Sequence, residues 1–339
     1  MKLAITAIWI IVLSACAAET SVTDAPLTIA PSLVSTPSPS RVPTPSPTGV
    51  SPTTTPTPAD TVLATIDATA LREHLEAFQR IADNHGGNRA SGTPGFDASA
   101  MYVVERLETF GYEVERRDFN GATNLIADRA GTVSEVVMIG AHLDSVLAGP
   151  GINDNASGVA ALLVIAESLA AAPPPERTTR FAFWDAEEGG PFGSPAYAAA
   201  LAPAELSRIV AYLNLDIIGS PNALRFVYAE ANAAPGSDAV TQRFAAYFES
   251  LDLPWSPVDL EGDSDHGPFV RAGIPTGGLF SGGIEPVTDE QADNFGAIAD
   301  MPADACGHQA CDTLANVNMT TLHEMTLAVA HVLVALAFD

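Results

Sequence analysis

From about residue 61 onward the chain alternates two kinds of apolar pattern. Residues 68–82 carry Leu71, Leu75, Phe78 and Ile81 or Ala82 at helical spacing, and residues 97–110 repeat it with Tyr102, Val103, Leu107 and Phe110. Between them lies a glycine-rich loop, NHGGNRASGTPGFD. Short apolar runs bounded by turn residues then predict strands over 112–118, 123–127, 135–141, 179–184, 209–215, 224–229 and 275–280. Helical patterns fall at 156–171, 194–202, 237–250, 266–272 and 320–337. The runs VVMIGA and IVAYLNL are apolar without alternation, as expected of strands covered on both faces. Strands separated by helices predict an α/β domain of three layers, α/β/α, around a central, mostly parallel mixed sheet. In such sheets a site belongs at the carboxyl ends of the strands.

The region before residue 61 reads differently. Lys2 precedes the apolar run LAITAIWIIVLSA, which is short for a membrane span and ends in small residues, as an export signal does. LSAC, Leu13 to Cys16, resembles the bacterial lipobox, in which the cysteine is lipidated and becomes the mature N-terminus; an ordinary signal peptide is the alternative. Residues 17–60 are dense in Pro, Ser and Thr and hold few large apolar side chains, so they predict an extended, disordered tether. The expected organisation is therefore a lipoprotein signal over 1–16, a tether over 17–60 and one domain over 61–339, exported and anchored to the cell envelope by lipid.

Charge narrows the partners. The 339 residues carry 41 acids against 15 bases, a formal charge of -26, and the only lysine is Lys2. A chain this acidic is repelled by phosphate backbones, so nucleic acid is excluded as a partner. In an exported chain Cys306 and Cys311, in CGHQAC, most simply form a disulfide closing a small loop; a thiolate metal site is the alternative.

Polar clusters follow the predicted strands. VVMIG runs into His142 and Asp144, Asp154 and Asn155 precede a helix, FAFW runs into Asp185, Glu187 and Glu188, and IVAYLNL runs into Asp216. Carboxylates packed together at strand ends repel one another and are costly to desolvate, and a cation resolves both problems. Carboxylates and imidazoles suit zinc or a similar divalent metal, and this many of them suggest two ions bridged by one carboxylate. One more histidine is needed. His74, His323 and His331 lie in amphipathic helix patterns and His85 lies in the glycine-rich loop, which leaves His266 and His308.

The ordered set GAHLDSV, GINDNASGVA, WDAEEGGPFGS, YLNLDIIGSPN, SDHGPF, GGLFSG and CGHQACDTLANVN resembles the M28 family of zinc peptidases, especially secreted bacterial double-zinc aminopeptidases, from about residue 84 to the C-terminus. The resemblance implies the zinc-peptidase (phosphorylase/hydrolase-like) fold and two Zn2+ per chain. His142 and Asp216 would hold one ion, Glu188 and His308 the other, with Asp154 bridging. Asp144 would orient His142, and Glu187 would be the general base for a metal-bound water that attacks the peptide bond of a substrate with a free N-terminus. Phe280 would line the side-chain pocket; an ordinary core phenylalanine is its alternative. Two positions depart from the pattern: Gly307 stands where relatives often carry tyrosine, and Asp263 where they often carry a basic residue.

The same residues admit rivals: a single-zinc glutaminyl cyclase, a carboxypeptidase or dipeptidase of the same fold, or a tethered binding protein. Glu285, Asp289, Glu290, Asp293, Asp300 and Asp304 offer a calcium alternative without the spacing of an EF-hand loop. The sequence leaves oligomeric state open, with a monomer as the simplest expectation.

Overall fold

The computed structural model describes residues 57–190 and 192–338. The expected export signal, Cys16 and all but the last residues of the expected tether lie outside the described residues. Those last residues are helical. α1 (Pro58–Leu63) starts inside the expected tether because Thr57 and Asp60 cap each other's backbone and Pro58 sits in the first turn.

Two long helices follow, α2 (Ala68–Asn84) and α3 (Pro94–Thr109), capped by Asp67 and Thr93. β1 (Val114–Phe119), β2 (Ala122–Arg129) and β3 (Val136–His142) lead into α4 (Ala156–Ala171), then β4 (Thr178–Trp184), α5 (Gly193–Ala200), α6 (Pro203–Leu206) and β5 (Ile209–Leu215). The second half holds β6 (Phe226–Tyr228), α7 (Ser237–Ser250), β7 (Ser256–Val258), α8 (Gly267–Arg271), β8 (Thr276–Phe280), α9 (Asp289–Phe295), a 3-10 turn (Leu314–Asn316) and α10 (Met319–Phe338).

The strands form one mixed sheet in the order β1-β2-β4-β3-β5-β8-β6-β7. The central run β4-β3-β5-β8 is parallel, whereas β1 with β2, β2 with β4, and β6 with β8 are antiparallel. Alternation along the central strands feeds two cores. Val137, Ile139, Phe181, Phe183 and Leu213 pack on one face with α2, α3, α4, α7 and α10, while Met138, Trp184 and Tyr212 pack on the other with Tyr197 of α5 and Phe269 of α8. The fold is thus three-layered. α10 is long and apolar enough to cross a membrane by length and composition, yet most of its residues are buried against that first core.

Gly140, in the middle of β3, shows why the central strand needs a glycine. A Cβ there would lie 2.5 Å from the Tyr212 hydroxyl and 2.6 Å from Trp184 Nε1. Those two groups instead hydrogen-bond to each other over the glycine at 2.9 Å.

The structure also corrects the sequence reading in detail. The expected strand 224–229 shortens to β6, and β7, α6 and α9 were not foreseen. α9 fully buries none of its residues and starts at a Thr288–Gln291 capping box; Ala292 and Phe295 are its only apolar residues, too few to read as a helical pattern.

Candidate metal centre

β3 pairs in parallel with β4 and with β5, with His142 opposite Trp184 and Gly140 opposite Asn214. The residues leaving these strands therefore meet at one edge. His142 Nε2 lies 3.2 Å from Asp216 Oδ1 and 3.3 Å from Asp154 Oδ1. The other Asp154 oxygen, Oδ2, lies 3.1 Å from His308 Nε2, which is 3.2 Å from Glu188 Oε2. Two ligand groups result, His142–Asp154–Asp216 and Asp154–Glu188–His308, sharing one aspartate. Donors about 2.0–2.1 Å from a tetrahedral zinc are about 3.3 Å apart, so the observed spacings fit such an ion.

Electrostatics point the same way. Nδ1 of His142 faces the Asp144 carbonyl, an acceptor only, at 3.2 Å, so Nδ1 carries a proton. Nε2 then faces two carboxylates, and a bare lone pair there would be repelled unless a proton or a cation intervenes. Burial alone would depress this imidazole, but Asp216, Asp144 and Asp154 push it well above its ordinary value. Burial lifts the Glu187 carboxyl to about 9 and that of Glu188 to about 8, with Asp216 and Asp154 among the charges adding to it. Glu188 Oε1 is buried without a hydrogen-bond partner. Divalent cations between these groups would keep the carboxylates ionised and the imidazoles neutral. The residues present fit two such ions.

The scaffold beneath is polar and largely satisfied. Asp144 accepts the Glu187 and Glu188 N–H groups at 3.1 and 3.2 Å, so its carboxylate holds the glutamate pair while its carbonyl holds His142. Asp312 accepts the N–H groups of Asn153 and Asp154 at 2.8 and 3.0 Å. Asn155 caps α4 and donates to the Leu215 carbonyl at 2.8 Å, tying the start of that helix to the end of β5. Ser264 donates to Asp216 Oδ2 at 2.7 Å. Ala186, Ile217 and His308 adopt positive φ of 60°, 52° and 57° beside or within the ligand set; for β-branched Ile217 this is an outlier of the kind that clusters at functional sites.

Arg89 was not singled out in the sequence. It is fully buried, donates to the Leu143, Pro150 and Gly151 carbonyls, and so ties together both ends of the segment between His142 and Asp154. Burial lowers its pKa to about 10, leaving a charged guanidinium under the carboxylates. Its one sequence signal is being the sole charge in NHGGNRASG. Asp185, which had no assigned role, is buried and accepts the Thr123 N–H at 2.7 Å.

Cys306 and Cys311 form a disulfide with a Cα–Cα separation of 5.3 Å. The loop they close packs against Gly149, where a Cβ would lie 2.2 Å from the Gln309 carbonyl oxygen. This close approach brings His308 to Asp154. His266 is elsewhere: it is buried and bonded to Glu230 at 3.0 Å. His74 is likewise a packing residue, bonded to the Tyr102 hydroxyl at 2.7 Å.

A cavity of about 370 Å3 opens over the ligand groups and includes Glu187, Ile217, Leu260, Phe280 and Ile284 in its lining. Phe280 is half-buried there and stacks on Phe226. Among the described residues, the acids of 285–304 enter no three-residue ligand group. Asp289 and Glu290 sit exposed in the first turn of α9, and Asp304 is buried, accepting from Asn153, Cys306 and Asn316.

An α/β/α fold with two histidines and three carboxylates gathered at the carboxyl edge of its sheet defines a class of metal-site proteins. Residues 124–333 match Peptidase family M28, and the chain belongs to that family. It is 43% identical over 284 residues to leupeptin-inactivating enzyme 1 of Streptomyces exfoliatus, covering 81% of this chain and 62% of the relative. It is 38% identical over 283 residues to the probable lipoprotein aminopeptidase LpqL of Mycobacterium tuberculosis, covering 76% of this chain and 56% of that one. The chain thus spans about three fifths of the length of these relatives. Its fold resembles that of an aminopeptidase from Aneurinibacillus sp. strain AM-1, at a TM-score of 0.67 and 18% identity, covering 83% of this chain and 96% of that one. It also resembles a Porphyromonas gingivalis glutaminyl cyclase, at a TM-score of 0.60 and 20% identity, covering 79% and 98%.

Proposed function

We propose that the chain is an exported, two-zinc aminopeptidase acting on peptides with a free N-terminus. The observation that carries this reading is the pair of ligand groups sharing Asp154, with Glu187 beside them on the wall of the same cavity. His142 and Asp216 would hold one zinc, Glu188 and His308 the other, and Asp154 would bridge. Bound there, zinc would polarise the substrate carbonyl and lower the pKa of water. Glu187 would take a proton from the attacking water and deliver it to the leaving amine. Asp144 would keep His142 oriented and the Glu187–Glu188 backbone in place. The carboxylates would also receive the substrate's terminal ammonium, which a blocked peptide lacks. Phe280 would contact the side chain of the terminal residue.

Residues 1–16, with Cys16, would direct export and lipid attachment, and 17–60 would hold the catalytic domain off the membrane. The name of the mycobacterial relative, a probable lipoprotein aminopeptidase, supports that placement.

The test is metal analysis together with hydrolysis of leucine p-nitroanilide by the purified protein, before and after chelation and after zinc is restored. We expect about two zincs per chain, loss of activity on chelation and recovery with zinc, and no cleavage of the N-acetylated substrate. Glu187→Gln should lower kcat by about 100-fold or more while leaving metal content intact. One zinc and cyclisation of a glutaminyl peptide in place of hydrolysis would replace this reading with the cyclase.

A further inference from the structure

Beside the ligand groups, the cavity is lined by the apolar side chains of Ile217, Leu260, Phe280 and Ile284 and by the exposed acids Asp263 and Glu285. Beyond the five candidate ligands and Glu187, those two acids are the only charged side chains among the described residues that line it. The cavity is a ligand site on separate grounds. Glu188 lines it with a side chain only 7% exposed, and Glu188 Oε1 has no hydrogen-bond partner.

Neither acid sits on a loose segment. The turn bearing Leu260 and Asp263 is clamped from below by Glu230, whose two oxygens accept the Leu260 and Gly262 N–H groups, each at 3.0 Å. Glu230 is itself bonded to His266 at 3.0 Å, and both side chains are buried. The Asp263 N–H closes the turn on the Leu260 carbonyl at 2.9 Å. On the other acid's segment, the Gly283 carbonyl two residues before Glu285 accepts the Asp304 N–H at 2.8 Å. The backbone that carries each acid is thus held, which leaves only the side chains to be ordered by a ligand.

We infer that the cavity takes a peptide with a lysine or arginine side chain at or next to the end cleaved, its methylenes against Leu260, Phe280 and Ile284 and its charged head on Asp263 and Glu285. This rests on the aminopeptidase reading. Long cationic side chains lay their stems along apolar surface and keep the head among polar groups, and this cavity offers both kinds of group in one lining. Each exposed ion pair contributes little alone. Two carboxylates around one guanidinium can accept several of its N–H groups at once, so a gain of about five- to tenfold in kcat/KM is expected. The chain's overall charge of -26 attracts every cationic peptide, so a local contact is distinguished by depending on the position of the cation.

The experiment compares kcat/KM of the full chain on four amidated tetrapeptides: Leu-Ala-Ala-Ala, Arg-Ala-Ala-Ala, Leu-Arg-Ala-Ala and Leu-Ala-Ala-Arg. Arginine at the first or second position should raise the value about five- to tenfold over Leu-Ala-Ala-Ala, and arginine at the fourth should not. The position that gains identifies the side chain that reaches the two acids. In the double variant Asp263→Asn with Glu285→Gln the ratio of arginine to leucine peptides should fall to about one, whereas Glu290→Gln, on the exposed face of α9, should preserve it. Equal gain at every position, no gain at the first two, or a ratio unchanged in the double variant overturns the inference. Cleavage of Leu-Ala-Ala-Ala with no arginine advantage overturns the inference alone; cleavage of none of the four overturns the aminopeptidase reading with it.

Discussion

Arg89 fixes the geometry of the centre without touching a candidate ligand side chain. Its guanidinium bonds three carbonyls of the segment joining His142 to Asp154 and places a positive charge beneath Asp144, Asp154, Glu188 and Asp312. Arg89→Met would strand those carbonyls and remove the counter-charge, a loss of about 3–5 kcal/mol of stability. A lower Tm and weaker zinc retention in a chelator-competition titration are expected, with Arg89→Lys recovering part of both. Equal zinc affinity in wild type and Arg89→Met would show that the charge does not act on the centre. The candidate ligand carboxylates and His142 were readable because acids crowded at strand ends need a cation, whereas the choice of His308 over His266 came only with the family resemblance. Arg89 and Asp312 were not readable, because their partners are backbone carbonyls and N–H groups whose positions exist only once the loops are folded.

At the level of elements, the buried parallel strands and long helices were readable from unbroken apolar runs and helical spacing. Short pieces were not. β7 is three residues held by pairing with β6, and α9 is seven residues with only Ala292 and Phe295 apolar. The loop closed by Cys306 and Cys311 shows how a small element governs chemistry. It carries His308 on a left-handed backbone position and docks on Gly149. Opening it releases conformational entropy worth about 2–3 kcal/mol for so small a ring. On the two-zinc proposal, the double variant Cys306→Ser with Cys311→Ser should therefore keep the zinc that His142, Asp154 and Asp216 would hold and lose most of the other after dialysis, as read by metal analysis. Two zincs retained at wild-type affinity would show that the disulfide is not what holds His308.

For the whole molecule, the N-terminal pattern and composition lead to an expectation of export, a tether and one acidic domain, and the family match covers residues 124–333. The anchoring proposal is separable from the catalytic one. Cys16→Ser should shift the protein from the membrane fraction to the soluble exported fraction while activity per chain stays the same. Membrane association that survives the substitution would sink the lipid anchor and leave the active-site reading untouched.

The groups of the candidate centre come from segments as far apart as residues 142 and 308, and they meet only where β3, β4 and β5 lie side by side and the disulfide loop has docked. Contacts of such long sequence separation form late in folding. A partly folded chain therefore holds the parts of the candidate centre without the centre. If the His308 loop is fixed only after oxidation, the proposed activity would switch on only when the last of these distant segments has closed on the others.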